Sequence, residues 1–113
     1  MPMRNLEVEL TKKLRQASDE AVQLGFNAPN YFLQMLGNYG SVKTVHRLLA
    51  SRKISAGLTN LWELGQRRNQ LQKFLGLSME AIILQEPYCQ IFSQEQLDIA
   101  KSRMVDLGYI FDL

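Results

Sequence analysis

The sequence predicts an all-α protein, a compact bundle of five to six short helices with no sheet. Three observations carry that reading. Apolar residues recur at steps of three and four, Ser, Asn and Gly punctuate those runs where helices would begin and end, and no run alternates apolar and polar residues with β-branched enrichment. With 113 residues, 46% of them apolar, the chain has material for one modest core, so residues 1–113 are expected to form a single domain. Charged residues at 21% and aromatics spread along the chain argue against disorder, which needs low hydrophobicity and high net charge.

Residues 1–25 read as an N-terminal amphipathic helix. Leu6, Leu10, Leu14, Ala17, Ala21 and Leu24 form its apolar stripe, and Gly25 offers a left-handed stop. Its polar side mixes Lys12, Lys13 and Arg15 with Glu9, Asp19 and Glu20, the pattern of a solvated face. Asn27 followed by Ala28-Pro29 reads as a cap with proline in the first turn, opening a short helix through Tyr31, Phe32, Met35 and Leu36. Gly37-Asn38-Tyr39-Gly40 is expected to end it. Ser41 then caps a helix with Val42, Val45, Leu48 and Leu49 inside and Lys43, His46 and Arg47 outside.

Ser51 to Gly57 reads as a linker, with Thr59 capping the next helix, Leu58 as its hydrophobic staple and Trp62 as its core anchor. Gly65 to Lys73 is the most polar run in the chain, and its pattern fits either a continuing helix or a loop. Ser78 and Glu80 open a short apolar helix through Met79, Ala81, Ile82, Ile83 and Leu84, which Pro87 keeps from extending. Ser93-Gln94-Glu95-Gln96 is a capping box leading into Leu97, Ala100, Met104 and Leu107, and Gly108 stops that helix.

The formal net charge of +2 conceals a polarised chain. From Lys43 to Lys73 seven cations (Lys43, Arg47, Arg52, Lys53, Arg67, Arg68, Lys73) face one carboxylate, Glu63, a balance of +6. From Phe74 to Leu113 six carboxylates face Lys101 and Arg103, a balance of −4, and residues 1–42 balance to zero. A basic segment of this kind gathers polyanions, and phosphate binding needs mobile cations with no special geometry. The seven cations are therefore the candidate nucleic-acid-binding residues, set against the plainer reading of a solvated face. A helix–turn–helix reader would need a shorter turn after residues 41–50 than the sequence provides.

Other chemistry finds little support. One cysteine, Cys89, and one histidine, His46, are too few for a structural zinc site, and Cys89 has no partner for an internal disulfide. His46 beside Lys43 and Arg47 reads as a surface residue, and Cys89 beside Tyr88 and Ile91 as a small hydrophobe. Glu95 and Asp98 complement a helix dipole as well as they would hold a metal ion, and Gly37 to Gly40 lacks the lysine of a phosphate loop. No catalytic residue, metal or cofactor is expected. The first nine residues carry acids where a leader peptide needs an apolar core, and no stretch approaches the ~20 apolar residues of a membrane span, so a cytoplasmic protein without membrane contact is expected.

Several segments, in order, resemble a small bacterial all-helical domain found as short stand-alone proteins and appended to nuclease or restriction-type proteins. They are Phe32-Leu33-Gln34-Met35, Tyr39-Gly40-Ser41-Val42, Arg47-Leu48-Leu49, Ser55-Ala56-Gly57-Leu58, Leu61-Trp62-Glu63-Leu64, Leu77-Ser78-Met79-Glu80-Ala81, Phe92-Ser93-Gln94-Glu95, and Ala100 with Leu107-Gly108-Tyr109. The resemblance covers residues 26–109 as a helical core and departs at 65–76, where that family makes a shorter connection. It implies a genomic-defence or nucleic-acid setting and supplies no catalytic residues.

The expected function is a non-catalytic accessory module that binds nucleic acid non-specifically through the basic segment, or helps a larger nuclease or defence protein do so. The alternative is a protein-interaction module docking on such a protein through apolar residues, with Tyr31, Tyr39 or Tyr109 exposed. A metal-dependent hydrolase built on Glu95, Asp98 or Asp106 ranks third.

Overall fold

Residues 3–27, 30–51 and 53–111 are described by a computed structural model of the chain. They form six α-helices, α1 (Met3–Gln23), α2 (Asn30–Ala50), α3 (Ala56–Arg67), α4 (Leu71–Leu75), α5 (Met79–Ile83) and α6 (Gln94–Asp106), with a 3-10 turn at Tyr88–Ile91. The architecture is an all-α bundle, and no strand occurs among the described residues.

The stripe on α1 behaves as its spacing predicts, with Leu6, Leu10, Leu14, Ala17 and Ala21 all buried. Gly25 at φ 104 closes the helix: its N–H donates to the Val22 carbonyl and the Phe26 N–H to that of Ala21, a Schellman motif. Gly108 repeats the device after α6, at φ 93, with Gly108 N–H to Val105 O and Tyr109 N–H to Met104 O. The expected Ala28-Pro29 start of the second helix lies outside the described residues.

The two helices expected either side of Gly37–Gly40 are both present as the two halves of α2, with the break between them confined to a single residue. The chain stays helical through Gly37, Asn38 and Tyr39, and only Gly40 leaves helical geometry, at φ 79 and ψ 175. Ser41 accordingly does not cap a free helix start. It is buried, and its hydroxyl donates 3.0 Å to the Glu7 carbonyl, which also accepts from Thr11 Oγ1 at 2.9 Å. Arg15 reaches Gly37 while Glu7 covers Gly40, so α1 and the half of α2 before the break run antiparallel.

The start of α3 falls four residues before the expected one. Ser55, not Thr59, is the N-cap: its Oγ accepts from the Leu58 N–H at 3.2 Å, and helix begins within the expected linker. The polar run from Gly65 is neither pure helix nor loop. α3 continues to Arg67, Asn69 takes the left-handed conformation at φ 55, and a third Schellman pair forms, Asn69 N–H to Gln66 O and Gln70 N–H to Gly65 O. Gly65 is buried where α4 folds back: a Cβ there would lie 3.0 Å from Leu71 Cα and 3.2 Å from Phe74 Cβ.

In the middle of α3, half-buried Trp62 donates from Nε1 to the Leu107 carbonyl at 3.0 Å. Gln72 clamps the tail, donating to Gly108 O and accepting from Ile110 N–H, both at 2.8 Å. The polar connection thus anchors the segment after α6. Ser78 and Ser93 cap α5 and α6 as their sequences predict, the latter through a complete capping box. Every residue of α5 is buried, against α1 and α6, and its Ile82 and Ile83 join Leu10, Leu14, Leu36, Val45 and Phe92 in the largest core cluster.

Candidate functional site

Five of the seven sequence-predicted cations fall into two groups, one on α2 and one around the turn between α3 and α4. Lys43 and Arg47 are exposed on α2, which packs against α1 and α6. Arg67, Arg68 and Lys73 are exposed around the turn between α3 and α4, which pack on each other. Lys53 is exposed just beyond α2, and Arg52 lies outside the described residues. Arg68 lays its guanidinium over Gly25, where a Cβ would stand 2.5 Å from Nη2, so its head group rests on the turn that follows α1. None of the six described cations is in an ion pair with a described residue.

The α2 group has a feature that charge counting missed. Tyr39 is 40% exposed, and the Arg47 guanidinium carbon lies 4.3 Å from its ring centroid, a cation–π stack. In an unbroken helix residues 39 and 47 stand about 12 Å apart along the axis. The break at Gly40 and the length of the arginine side chain close that distance. Lys43 sits between them in sequence, one helical turn before Arg47, and α2 contains no Asp or Glu from Asn30 to Ala50. The signal was present in the order Tyr39-Gly40…Lys43…Arg47, but the positive φ at Gly40 that folds it together is a tertiary result.

A second charged cluster is internal. Arg103 and Glu80 form the one ion pair among the described residues, Nη1 to Oε2 at 3.2 Å, and both are buried. Arg103 also donates to the Leu48 carbonyl at 3.2 Å and, from Nη2, to the Ser51 carbonyl at 2.7 Å. It therefore satisfies carbonyls that the end of α2 leaves without helical partners. Burial pushes the Glu80 carboxyl above its ordinary value, and its own backbone N–H and the Arg103 guanidinium only partly pull it back. Read along the sequence, Arg103 entered only the charge balance of residues 74–113, and Glu80 that balance and the start of a helix. The available sign was Glu80 standing as the one charge in the apolar run Leu77–Leu84.

The remaining acids among the described residues do not assemble into a metal centre. No group of three or more His, Cys, Asp or Glu side chains among the described residues is placed to hold an ion. Glu95, Asp98 and Asp106 instead line an open groove of about 830 Å³ beside the end of α2, and Asp98 accepts from Gln94 Nε2 at 2.9 Å. Cys89 is half-buried, and burial followed by a hydrogen bond with Glu86 raises its thiol away from the thiolate form a nucleophile needs. His46 is exposed, its ring centroid 6.2 Å from that of Phe92. A half-enclosed apolar cavity of about 70 Å³, bordered by Leu14, Phe26, Phe32, Leu58 and Met79, falls short of the several hundred Å³ of an ordinary ligand pocket.

No described helix is long and apolar enough to cross a membrane. No protein-family model, curated protein or solved structure matches the chain.

Proposed function

We propose that this protein is an accessory module without catalytic activity that binds nucleic acid through phosphate contacts and reads no base sequence. The observation that carries the reading is the outer face of α2, where Lys43 and Arg47 stand exposed, without ion-pair partners among the described residues, on a helix devoid of carboxylates. Arg67, Arg68 and Lys73 supply a second cationic group. Lysine and arginine on an open face displace counterions from a nucleic-acid backbone and need no further geometry. The family resemblance adds the setting, restriction or genomic defence in the cytoplasm, with a larger nuclease or defence protein as partner.

The test is fluorescence anisotropy with labelled oligonucleotides across a salt series. Affinity should fall as salt rises, with a log–log slope of about −0.9 per phosphate neutralised on duplex DNA. Salt-independent binding, or none at low ionic strength, would remove the proposal.

The second reading, docking on a protein partner, draws on exposed apolar residues of α2: Tyr31, Leu33 and Tyr39 are 41%, 37% and 40% exposed. Tyr109 does not belong to it, being half-buried and stacked edge-on against Phe111 with ring centroids 4.9 Å apart. A partner that co-purifies and stays bound in high salt would favour docking over polyanion binding.

A further inference from the structure

The Tyr39–Arg47 stack says more about the ligand than the charges do. Phosphate neutralisation alone would be served by cations on mobile stems in water. Here one guanidinium lies over an exposed aromatic ring, its central carbon 4.3 Å from the ring centroid, at the point where Gly40 breaks α2, and Lys43 follows within a turn. A ring and a guanidinium plane are two π-surfaces. A nucleobase presents a third, and base–aromatic and base–arginine stacking is tolerant of sequence because every base has a flat face.

Base faces are free only when the strand is single. In a duplex each face is covered by its neighbours, and exposing one costs unstacking and unpairing. An aromatic ring set in the surface of a helix has no wedge with which to force that opening. We infer that the face formed by Tyr39, Lys43 and Arg47 binds single-stranded nucleic acid, one base extending the Tyr39–Arg47 stack while Lys43 meets an adjoining phosphate. This inference rests on the nucleic-acid reading above and narrows it to single strands.

The experiment compares a labelled mixed-sequence 12-nucleotide single strand with its duplex, titrated with the whole protein and with Tyr39→Ala, Tyr39→Phe and Arg47→Lys. The wild-type protein should bind the single strand the more tightly. Tyr39→Ala should weaken single-strand binding about 5- to 150-fold, the range reported by alanine substitution of stacking residues, and leave duplex binding unchanged. Tyr39→Phe keeps the ring and should bind like wild type. Arg47→Lys keeps the charge and loses the plane, so it should weaken the single-strand complex without changing its salt slope; it also serves if Tyr39→Ala fails to fold by circular dichroism.

If the wild-type protein binds neither oligonucleotide at low salt, the nucleic-acid reading itself fails. If it binds the duplex as tightly as the single strand, or if Tyr39→Ala and Arg47→Lys leave single-strand affinity intact, the stacking inference is overturned and phosphate binding stands.

Discussion

Arg47 and Arg103 carry the same charge to opposite ends. Arg47 lies on the outer face of α2, paired with no described carboxylate and resting on an exposed tyrosine. Arg103 is buried, with Glu80 and two carbonyls from the end of the same α2 around its guanidinium. The first arginine leaves hydrogen-bonding capacity for a partner; the second has spent it inside. A charge count along the sequence treats them alike, so the count identifies candidates and burial decides among them. What separates the binding face from the framework in this molecule is which charges the fold has already satisfied.

The largest effect should come from breaking the buried half. Arg103→Met strips Glu80 of its partner and releases the Leu48 and Ser51 carbonyls, a change that costs about 3–5 kcal/mol where one member of a buried pair is removed. For a chain of this size that is a fall in Tm of roughly 10–20 °C, read by thermal denaturation. Replacing both partners, Glu80→Met with Arg103→Met, should recover much of the loss, since the uncompensated charge is gone. A double variant as unstable as the single one would mean that the carbonyl contacts, rather than the ion pair, dominate.

Breaking the exposed half should leave stability alone and remove binding. Lys43→Glu with Arg47→Glu should lower oligonucleotide affinity at low salt by about 100-fold or more, and reduce the salt slope on duplex DNA by roughly two phosphate contacts. Unfolding free energy should move by no more than about 0.5 kcal/mol, the usual range for surface substitutions. A large drop in stability with binding retained would reverse the roles assigned to the two arginines.

The comparison sharpens further with pH. Glu80 holds its proton more readily in the folded chain than in the unfolded one, because burial disfavours the carboxylate. Its contribution to stability is therefore full below the ordinary value of 4.5 and is lost as pH rises through the higher folded value. Relative to Glu80→Gln, the wild-type protein should lose stability as pH climbs from 4.5 upward, measured by urea unfolding of both proteins in matched buffers. A difference that stays flat, or grows with pH, would show the carboxylate to be better stabilised by Arg103 than burial penalises it.

Much of the fold was legible because helix ends here use local chemistry. Gly25, Ser78, Ser93 and Gly108 each do what their neighbours in sequence predict, and the α1 stripe is buried along its length. The misplaced boundaries share a cause. Thr59 and Ser41 are as able to cap as Ser55, and the decision was made by packing: Ser41 is held against the Glu7 carbonyl of α1, and Ser55 is where the chain turns into α3. The polar run after Gly65 was ambiguous because its stop is an asparagine in left-handed geometry and its fold-back needs a glycine pressed on Leu71, neither of which hydrophobic periodicity encodes. Of the candidate site, the charges were readable and the Tyr39–Arg47 stack was not, since it depends on the backbone break at Gly40.

The smallest effect tests the inner face of the same helix. Thr44 is fully buried on α2, and its Oγ1 finds no hydrogen-bond partner among the described residues. A helical threonine ordinarily returns its hydroxyl to the carbonyl one turn back, which here belongs to Gly40, the residue that has left helical geometry. An unsatisfied buried hydroxyl costs about 1–3 kcal/mol, and valine has nearly the same shape without the polar atom. Thr44→Val should therefore stabilise the protein by about 1 kcal/mol and leave nucleic-acid binding unchanged, because the substituted side chain points away from Lys43 and Arg47. Destabilisation by Thr44→Val would mean that the hydroxyl is satisfied in solution, by water admitted at the Gly40 break, and that the break is wetter than the packing of Ser41 against Glu7 implies.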